Sequence, residues 1–512
     1  MFFGSSGSLP AAVREQPQNS AMRYDSLVPT YHVENFGCRA TQADGAALEC
    51  QFESRGLARA SAAQADLVIL NTCTVTNSAD QDARAAIRRV QRQNPLARII
   101  VTGCYAQRAP QEISALPGVT CVIGNSHKHQ LAEIVLEEVT LRRGAFVPLS
   151  TLTPSGQRPS VASPEVSEAT NDQPRLFVSD IFAHTELLAA PVFEASNLDA
   201  GGSQENDRTR PNLKVQDGCD NRCSFCVIPS VRGHSRSLPL PQVIREMNAL
   251  VAAGYREVVI SGINLGRWGR DWESRKSHFE DLLRAILHQT RLEKLRISSV
   301  EPMDWSDELI GLVASSQRIA KHAHVPLQSG SDAVLRRMRR KYRPWHYREK
   351  IEKIHAAMPT AAIGADVMTG FPGETDAEFE ATRRLITDLP FTYLHVFTYS
   401  ARPGTPAAAT PNQVPVQVAR ERNRILRALS AEKKLAFMQS FVGKPLDAIT
   451  LNVVSSSGEG EFTEALTDNY QKLYLNGRYG ANRWITARIV GVEDGALVGM
   501  AVPADSPLAL VS

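Results

Sequence analysis

The sequence has little net charge, few aromatic side chains and no long apolar run. Its 512 residues carry a formal net charge of only +3, so a basic surface for nucleic acid would have to be local. Aromatic residues make up 6% of the chain. No apolar stretch approaches the roughly 20 residues that a membrane helix needs. The composition is that of an ordinary globular protein with no membrane partner.

Cysteine is also scarce, with eight residues in the whole chain. The N-terminal stretch MFFGSSGSLPAAVREQPQNS lacks the basic start and the apolar core of a signal peptide, and residues 1–29 are interpreted as a disordered leader. We therefore expect a cytoplasmic protein. In that reducing compartment, clustered cysteines bind metal or perform redox chemistry more often than they form disulfides.

The alternation of strand-like and helix-like segments indicates an α/β protein with three parts. Residues 30–143 predict a parallel α/β domain. In residues 210–440, six strand candidates with helical stretches between them favour a full or partial β/α barrel. Short alternating strands with Gly turns over 441–505 predict a small β-barrel. Residues 144–209, rich in Pro, Ser and Thr, are interpreted as a linker or insertion.

Three cysteines stand close together in VQDGCDNRCSFCVIPSVRG, directly after the first strand of the predicted barrel. They are Cys219, Cys223 and Cys226. Chemistry in β/α barrels lies at the C-terminal ends of the strands. An iron–sulfur cluster usually takes four cysteines, so three would leave one iron with an open position for a substrate. A zinc site that borrows a further ligand such as His234 is the alternative.

The spacing Cys-x3-Cys-x2-Cys, with Phe225 before the last cysteine, resembles the signature of the radical S-adenosylmethionine (SAM) enzymes. The resemblance implies a 4Fe-4S cluster whose open iron binds the amino and carboxylate groups of SAM. It also implies that an electron from the cluster cleaves SAM to methionine and a 5′-deoxyadenosyl radical. The ligand missing from the motif would then be the cosubstrate itself.

A second set of three cysteines lies in the N-terminal domain. Cys38, Cys73 and Cys104 each follow a predicted strand. Because adjacent parallel strands end at one edge of a sheet, these cysteines are expected on one rim, where they could hold a second cluster. Cys50 and Cys121 lie within a predicted helix and a predicted strand, and are interpreted as buried structural cysteines.

The order of a cysteine-bearing domain, a radical SAM barrel and a small β-barrel resembles the radical SAM methylthiotransferases. The resemblance covers about residues 30–140 and 211–505. It implies that an auxiliary 4Fe-4S cluster in the N-terminal domain carries sulfur, and that the C-terminal domain is an RNA-binding TRAM domain. One SAM would supply the methyl group, and a second would supply the radical that abstracts hydrogen from the target carbon.

Three branches of that family differ in substrate: N6-isopentenyladenosine in tRNA, N6-threonylcarbamoyladenosine in tRNA, or an aspartate of a ribosomal protein. NTCTVTNSAD around Cys73 resembles the threonylcarbamoyladenosine branch, whereas CRATQAD departs from the Lys-Val-Asn-like run that the family usually has after its first cysteine. The resemblance implies methylthio transfer to C2 of the adenosine at position 37, next to the anticodon. The other two substrates, and a non-catalytic iron–sulfur protein that binds RNA or senses redox state, are alternatives.

The resemblance also implies that SAM contacts the ends of the barrel strands, in ISGINLG, RISSVEP, HVPLQSGSD and IGADVMTGFPGET. The expected SAM-binding residues are Phe225, Gly262, Asn264, Ser298, Glu301, Gln328 and Asp366. His322, His324 and His395 are left out, because a lone histidine in a strand is more often packed than a ligand.

An RNA substrate needs cationic side chains for its phosphates and access to a splayed-out base. The segment LRRMRRKYRPWHYREK is the strongest candidate, although charge runs are often solvated helix faces. The expected RNA contacts are Arg339, Arg340 and Arg343. The implied partners are a tRNA anticodon stem-loop, an electron donor such as flavodoxin or ferredoxin, and a sulfur source.

Overall fold

The structure, a computed structural model, describes five ranges: residues 28–142, 173–188, 209–273, 276–457 and 460–502. The predicted leader up to residue 27 and most of the 144–209 segment lie outside them. In the part of the chain that is described, no helix combines the length and the apolar character needed to cross a membrane.

The N-terminal domain is a six-stranded parallel sheet with helices on both faces. Its strands are β1 (Thr30–Asn35), β2 (Ala58–Arg59), β3 (Leu67–Thr72), β4 (Arg98–Gly103), β5 (Val119–Gly124) and β6 (Arg175–Phe177), in the order β2-β1-β3-β4-β5-β6. Its helices are α1 (Arg39–Glu53), α2 (Asn77–Gln93), α3 (Cys104–Arg108), α4 (Pro110–Ser114) and α5 (Leu131–Arg142). Strand β3 is buried throughout because Val68 and Leu70 pack on one face while Leu67 and Ile69 pack on the other.

One strand of this sheet comes from the segment interpreted as a linker. Strand β6 pairs in parallel with β5, with Cys121 opposite Arg175. A short 3₁₀ turn follows at Ile181–Ala183 and buries Ile181. Residues 173–188 of the predicted linker or insertion therefore pack on the N-terminal domain. A strand of three residues is too short to show a period of two in the sequence.

The central domain confirms the prediction of a partial barrel. Its strands are β7 (Asn212–Asp217), β8 (Arg236–Ser237), β9 (Glu257–Gly262), β10 (Lys294–Ile297), β11 (His322–His324), β12 (Ala362–Thr369) and β13 (Tyr393–Thr398). Its helices are α6 (Ile228–Arg232), α7 (Leu240–Ala252), α8 (Phe279–Gln289), α9 (Asp307–Ser315), α10 (Asp332–Arg337), α11 (Pro344–Ala357), α12 (Asp376–Asp388) and α13 (Val416–Gln439). Parallel sheets β7-β9-β10 and β11-β12-β13 are joined by the bridge between Ser299 and His324, and β8 pairs antiparallel with β7. No pairing between β7 and β13 is present in the described residues, so the barrel stays open on that side.

The C-terminal domain is a closed five-stranded barrel, as the sequence predicts. Its strands are β14 (Pro445–Ser457), β15 (Gly460–Thr467), β16 (Lys472–Asn476), β17 (Trp484–Glu493) and β18 (Ala496–Ala501), closed in the order β14-β15-β16-β18-β17. Its core includes Met438 and Phe441, so the end of α13 is built into this domain.

The turn between β15 and β16 docks the C-terminal barrel on the central one. Arg296 is fully buried and its Nε lies 2.6 Å from Oε1 of Glu257. Its two terminal nitrogens donate to the carbonyl oxygens of Asp468 at 3.1 Å and Thr467 at 3.3 Å. A buried cation therefore fixes this turn and brings Tyr470 to the wall of the central domain, 5.4 Å from the Arg296 guanidinium.

Candidate active site

A cavity of about 720 Å³ opens between the three domains. The ends of the barrel strands, the start of α1 and the turn between β15 and β16 form its walls. Its volume lies in the usual range for ligand cavities. All seven residues expected to bind SAM line it, together with four of the six cysteines: Phe225, Gly262, Asn264, Ser298, Glu301, Gln328, Asp366, Cys38, Cys219, Cys223 and Cys226.

The barrel cysteines lie on a loop whose backbone requires glycine at its start. Gly218 has φ +69°, and a Cβ there would lie 1.8 Å from the carbonyl oxygen of His234. The N–H of Cys226 donates to the carbonyl oxygen of Cys223 at 3.2 Å, which tightens the loop. The loop thus presents all three cysteines, beginning with Cys219, to one end of the cavity.

The surroundings of these thiols fit an iron–sulfur cluster. Burial raises the pKa of Cys226 to about 12 and also raises that of Cys219. Asn264 Nδ2 lies 3.7 Å from Cys219 Sγ, and Arg340 Nη1 lies 3.2 Å from Cys223 Sγ. These donors would stabilise the negative charge of cluster thiolates.

The N-terminal cysteines also converge. Cys38 precedes α1, Cys73 follows β3 and Cys104 begins α3. Gly37 has φ +95°, and a Cβ there would lie 2.7 Å from Cys73 Sγ, so glycine lets the two loops meet. Burial raises the pKa of Cys73, and the neighbouring Cys104 and Cys38 raise it further. Cys38 lines the cavity, while Cys73 and Cys104 are buried.

Several polar atoms in the cavity wall have no partner within the described chain. They belong to side chains that are nine-tenths or more buried: Ser261 Oγ, Asn264 Oδ1 and Gln328 Oε1. A buried polar atom without a hydrogen bond is costly, so these atoms fit a polar ligand such as SAM. Gln328 also has φ +64°, a strained conformation that is frequent at binding sites.

Arg340, one of the three predicted RNA contacts, lies in the wall of the cavity. Its side chain is 6% exposed and forms a short ion pair with Glu301 beside Cys223. Burial raises the pKa of Glu301, which Arg340 opposes. This guanidinium faces the cluster loop inside the cavity, and its role as an RNA contact stays a prediction.

The two other predicted RNA contacts lie nearer to solvent. Arg339 is exposed, and Arg343 is half-buried with its Nε 3.1 Å from Oδ1 of Asp332. Both remain predictions as RNA contacts.

Arg339 and Arg340 form a matched pair for mutagenesis. Arg340→Gln leaves the half-buried Glu301 beside the cluster loop without its cation and removes a buried guanidinium, and we expect it to lower the free energy of unfolding by about 2 kcal/mol. Arg339→Gln removes an exposed charge and is expected to leave unfolding within about 0.5 kcal/mol of wild type. Denaturant unfolding of both variants checks this. Equal effects of the two substitutions would contradict the assignment of Arg340 to the interior.

The structure does not favour the zinc alternative. His234 is exposed, its Nδ1 lies 2.7 Å from Oδ1 of Asp220, and it does not line the cavity that the three cysteines line. Within the described ranges, no three side chains of His, Cys, Asp or Glu are arranged to hold a single metal ion.

A buried charge network that the sequence did not reveal joins the N-terminal domain to the barrel. Asp44 lies 3.1 Å from Lys128 Nζ and 3.0 Å from Arg232 Nη2, and also pairs with Lys214. Asp217 accepts from Lys214 at 2.7 Å and from Arg232 at 2.9 Å. Three cations thus face two carboxylates, and Arg232 is also an electrostatic neighbour of the N-terminal cysteines.

The histidines left out above belong to the cavity wall. His322, His324 and His395 line it together with Tyr393 and Tyr470. The rings of His322 and Tyr470 lie 4.4 Å apart, and those of Tyr393 and His395 lie 5.2 Å apart. The alternation His-Ala-His in β11 was the available signal, because residues two apart in a strand share a face.

Two family models match the chain: the Uncharacterized protein family UPF0004 over residues 30–124 and the Radical SAM superfamily over residues 213–386. The chain is 36% identical to the threonylcarbamoyladenosine tRNA methylthiotransferase MtaB of Bacillus subtilis strain 168, over 88% of this chain and 90% of that protein. The chain belongs to the radical SAM tRNA methylthiotransferase family. The MtaB of Aquifex aeolicus strain VF5 is 34% identical, over 85% of this chain and 94% of that one.

A relative of another branch is similar to nearly the same extent. The tRNA-2-methylthio-N(6)-dimethylallyladenosine synthase of Acidothermus cellulolyticus is 33% identical, over 94% of this chain and 87% of that protein. Family membership makes the chain a transferase that uses SAM and a 4Fe-4S cluster. Family membership alone decides neither the substrate branch nor the number of clusters.

Proposed function

We propose that this radical SAM methylthiotransferase modifies C2 of N6-threonylcarbamoyladenosine next to the anticodon of tRNA, and that it uses two 4Fe-4S clusters. The first would be held by Cys219, Cys223 and Cys226, and the auxiliary one by Cys38, Cys73 and Cys104. The substrate follows the MtaB relatives, which are 36% and 34% identical, and the segment NTCTVTNSAD around Cys73 supports it.

The observation that carries the proposal is that both cysteine sets reach one cavity. Cys38 of the N-terminal domain and the three barrel cysteines line the same cavity. A single carbon atom in this cavity can therefore face both the sulfur-bearing site and the SAM site. When bound, SAM supplies the methyl group and the radical, and the auxiliary cluster supplies the sulfur.

The chain's own residues bind and orient these groups. We expect Asn264 and Gln328 to offer their unpartnered oxygens to SAM, and Phe225 to contact its adenine. Arg339 and Arg343, together with the C-terminal barrel as a TRAM domain, would contact the tRNA. The reaction also needs an electron donor such as flavodoxin or ferredoxin and a sulfur source, which places it in the cytoplasm with the tRNA.

The test is nucleoside analysis of tRNA from cells that lack the protein. We expect the 2-methylthio derivative of N6-threonylcarbamoyladenosine to disappear, and the chain to restore it when supplied on a plasmid. The Cys219→Ala variant should fail to restore it, because the SAM cluster would lose a ligand. Mass spectrometry of the digested tRNA reads both the product and its unmodified precursor.

The isopentenyladenosine substrate is a second candidate, favoured by the 33% identity to a dimethylallyladenosine synthase. In the same experiment, loss of the methylthio derivative of isopentenyladenosine would select that candidate. If neither nucleoside changed, the ribosomal protein substrate or a non-catalytic role would replace the proposal.

A further inference from the structure

Arg39 is a cation at the end of the cavity where all three domains meet. It directly follows Cys38 in the sequence and lines the cavity. Its Nη2 donates to the hydroxyl oxygen of Tyr470 at 3.1 Å, across the contact between the N-terminal and C-terminal domains. The side chains that surround it, Tyr470, Tyr393 and His322, come from the C-terminal and central domains.

The charge of Arg39 is not matched by a carboxylate of the described chain. Among the described residues, no carboxylate forms an ion pair with Arg39. The side chain of Arg39 is half-buried and lines the cavity. The two carboxylates in the cavity wall are placed elsewhere: Glu301 pairs with Arg340, and Asp366 lies 3.5 Å from Nε2 of His324. A guanidinium that lines a cavity without a carboxylate partner suits an anionic ligand.

The other ionisable groups at this end do not compete for that role. Burial lowers the pKa of His322 and of His395, so both imidazoles are neutral at neutral pH. Arg296 stacks near Tyr470 but is paired with Glu257. Arg39 is thus the cation that a ligand can reach from this part of the cavity.

The chemistry of the target base brings its N6 substituent to this place. In adenine only N1 separates C2 from C6, which bears N6. A base that presents C2 to sulfur held near Cys38 therefore extends its N6 substituent along the neighbouring wall, where Arg39 lies. A threonylcarbamoyl substituent ends in a carboxylate, whereas an isopentenyl substituent is neutral and apolar.

We propose that Arg39, held by the Tyr470 hydroxyl, is the specificity-determining residue that binds the carboxylate of the N6 substituent. This inference rests on the proposed function and deepens it, since it explains how the cavity distinguishes threonylcarbamoyladenosine from isopentenyladenosine. It also gives the C-terminal domain a part in the active site, because Tyr470 forms both the wall and the hydrogen bond that orients the guanidinium.

The test compares the affinities of anticodon stem-loop RNAs for the anaerobically reconstituted full-length protein. One RNA carries threonylcarbamoyladenosine and the other carries its methyl ester, which removes the charge and keeps the shape. The wild type should bind the acid about 10- to 100-fold more tightly than the ester, the ratio expected for one charge-assisted hydrogen-bonded contact. Fluorescence anisotropy at constant salt measures both affinities.

Three variants extend the comparison. Arg39→Gln should reduce the ratio of the affinity for the acid to the affinity for the ester to about threefold or less. Arg39→Lys should keep part of this preference, because the positive charge remains although the planar guanidinium is lost. Arg384→Gln is the control, since that arginine lies on α12 with its side chain 75% exposed. Iron and sulfide content shows whether each variant retains its clusters.

The inference is overturned if the wild type binds acid and ester equally, a result that needs no variant, or if Arg39→Gln with full iron content keeps the wild-type ratio. Failure of the proposed function gives a different result. In that case the wild type adds the methylthio group to isopentenyladenosine RNA and leaves threonylcarbamoyladenosine RNA unchanged.

Discussion

Replacing Cys38, Cys73 and Cys104 together with alanine is expected to abolish formation of the methylthio nucleoside while the reduced protein still cleaves SAM. The reason is spatial: the three thiols converge at the edge of the N-terminal sheet, whereas SAM is assigned to the barrel loop, which is a separate element of the cavity. Chromatography of 5′-deoxyadenosine reads SAM cleavage, and mass spectrometry of tRNA nucleosides reads sulfur insertion.

Two matched variants test whether SAM cleavage and formation of the methylthio nucleoside depend on different cysteines. Alanine at Cys219, Cys223 and Cys226 should remove both activities, because the SAM cluster would lose its ligands. Cys50→Ala should change neither, since Cys50 lies in α1 outside both sets. The account fails if the N-terminal triple variant still makes the methylthio nucleoside.

Asp44→Ala is expected to destabilise the protein more than any other single substitution considered above. Asp44 is 1% exposed and pairs with Lys128, Lys214 and Arg232, so its removal leaves three cations facing one remaining carboxylate, Asp217. Breaking a buried network of this kind costs about 3–5 kcal/mol. The midpoint of thermal unfolding should therefore fall by roughly 3–5 °C, because a chain of this size loses about 1 °C per kcal/mol.

Differential scanning calorimetry measures that midpoint, and Asp82→Ala on the exposed face of α2 is the control. A shift of the midpoint as small as that of the control would show that the network does not hold the N-terminal domain on the barrel. Loss of stability with retained iron content would further show that the network supports the domain contact and not the clusters.

The same network predicts a dependence of stability on pH. Burial opposes ionisation of Asp44 and Asp217, but the cations around them outweigh it and hold both pKa values below the usual range. The folded pKa therefore lies below the unfolded value, which is about 4. The stabilisation is present above about pH 4 and is lost as the pH falls below it. The free energy of unfolding, measured with denaturant, should contain a similar contribution from this network at pH 7 and at pH 4.5. Below pH 4 the Asp44→Ala variant should lose less of its free energy of unfolding than the wild type does.

The parts of the site that follow from strand ends could be predicted from the sequence. Both cysteine sets stand directly after strands, and the carboxyl ends of parallel strands meet at one edge, so spacing and topology were sufficient. Asn264, Ser298 and Gln328, which follow β9, β10 and β11, were expected from the family resemblance, and all three line the cavity.

Residues whose role depends on a local reversal of the chain could not be predicted. Arg340 stands in a run of cations that suggests a solvated face. Arg339, however, adopts φ +58° after α10, and this left-handed residue turns Arg340 inward. A glycine would have signalled such a reversal, but an arginine does not. The pairing of Asp44 with Lys214, 170 residues apart, leaves no local pattern at all.

The central claim is that two separate three-cysteine sites open into one cavity, and iron and sulfide analysis of anaerobically prepared protein tests it most directly. We predict about eight irons in the wild type and about four in the variant with alanine at Cys219, Cys223 and Cys226. A wild type with only about four irons would contradict the account, because the N-terminal cysteines would then hold no cluster and the sulfur would have no site.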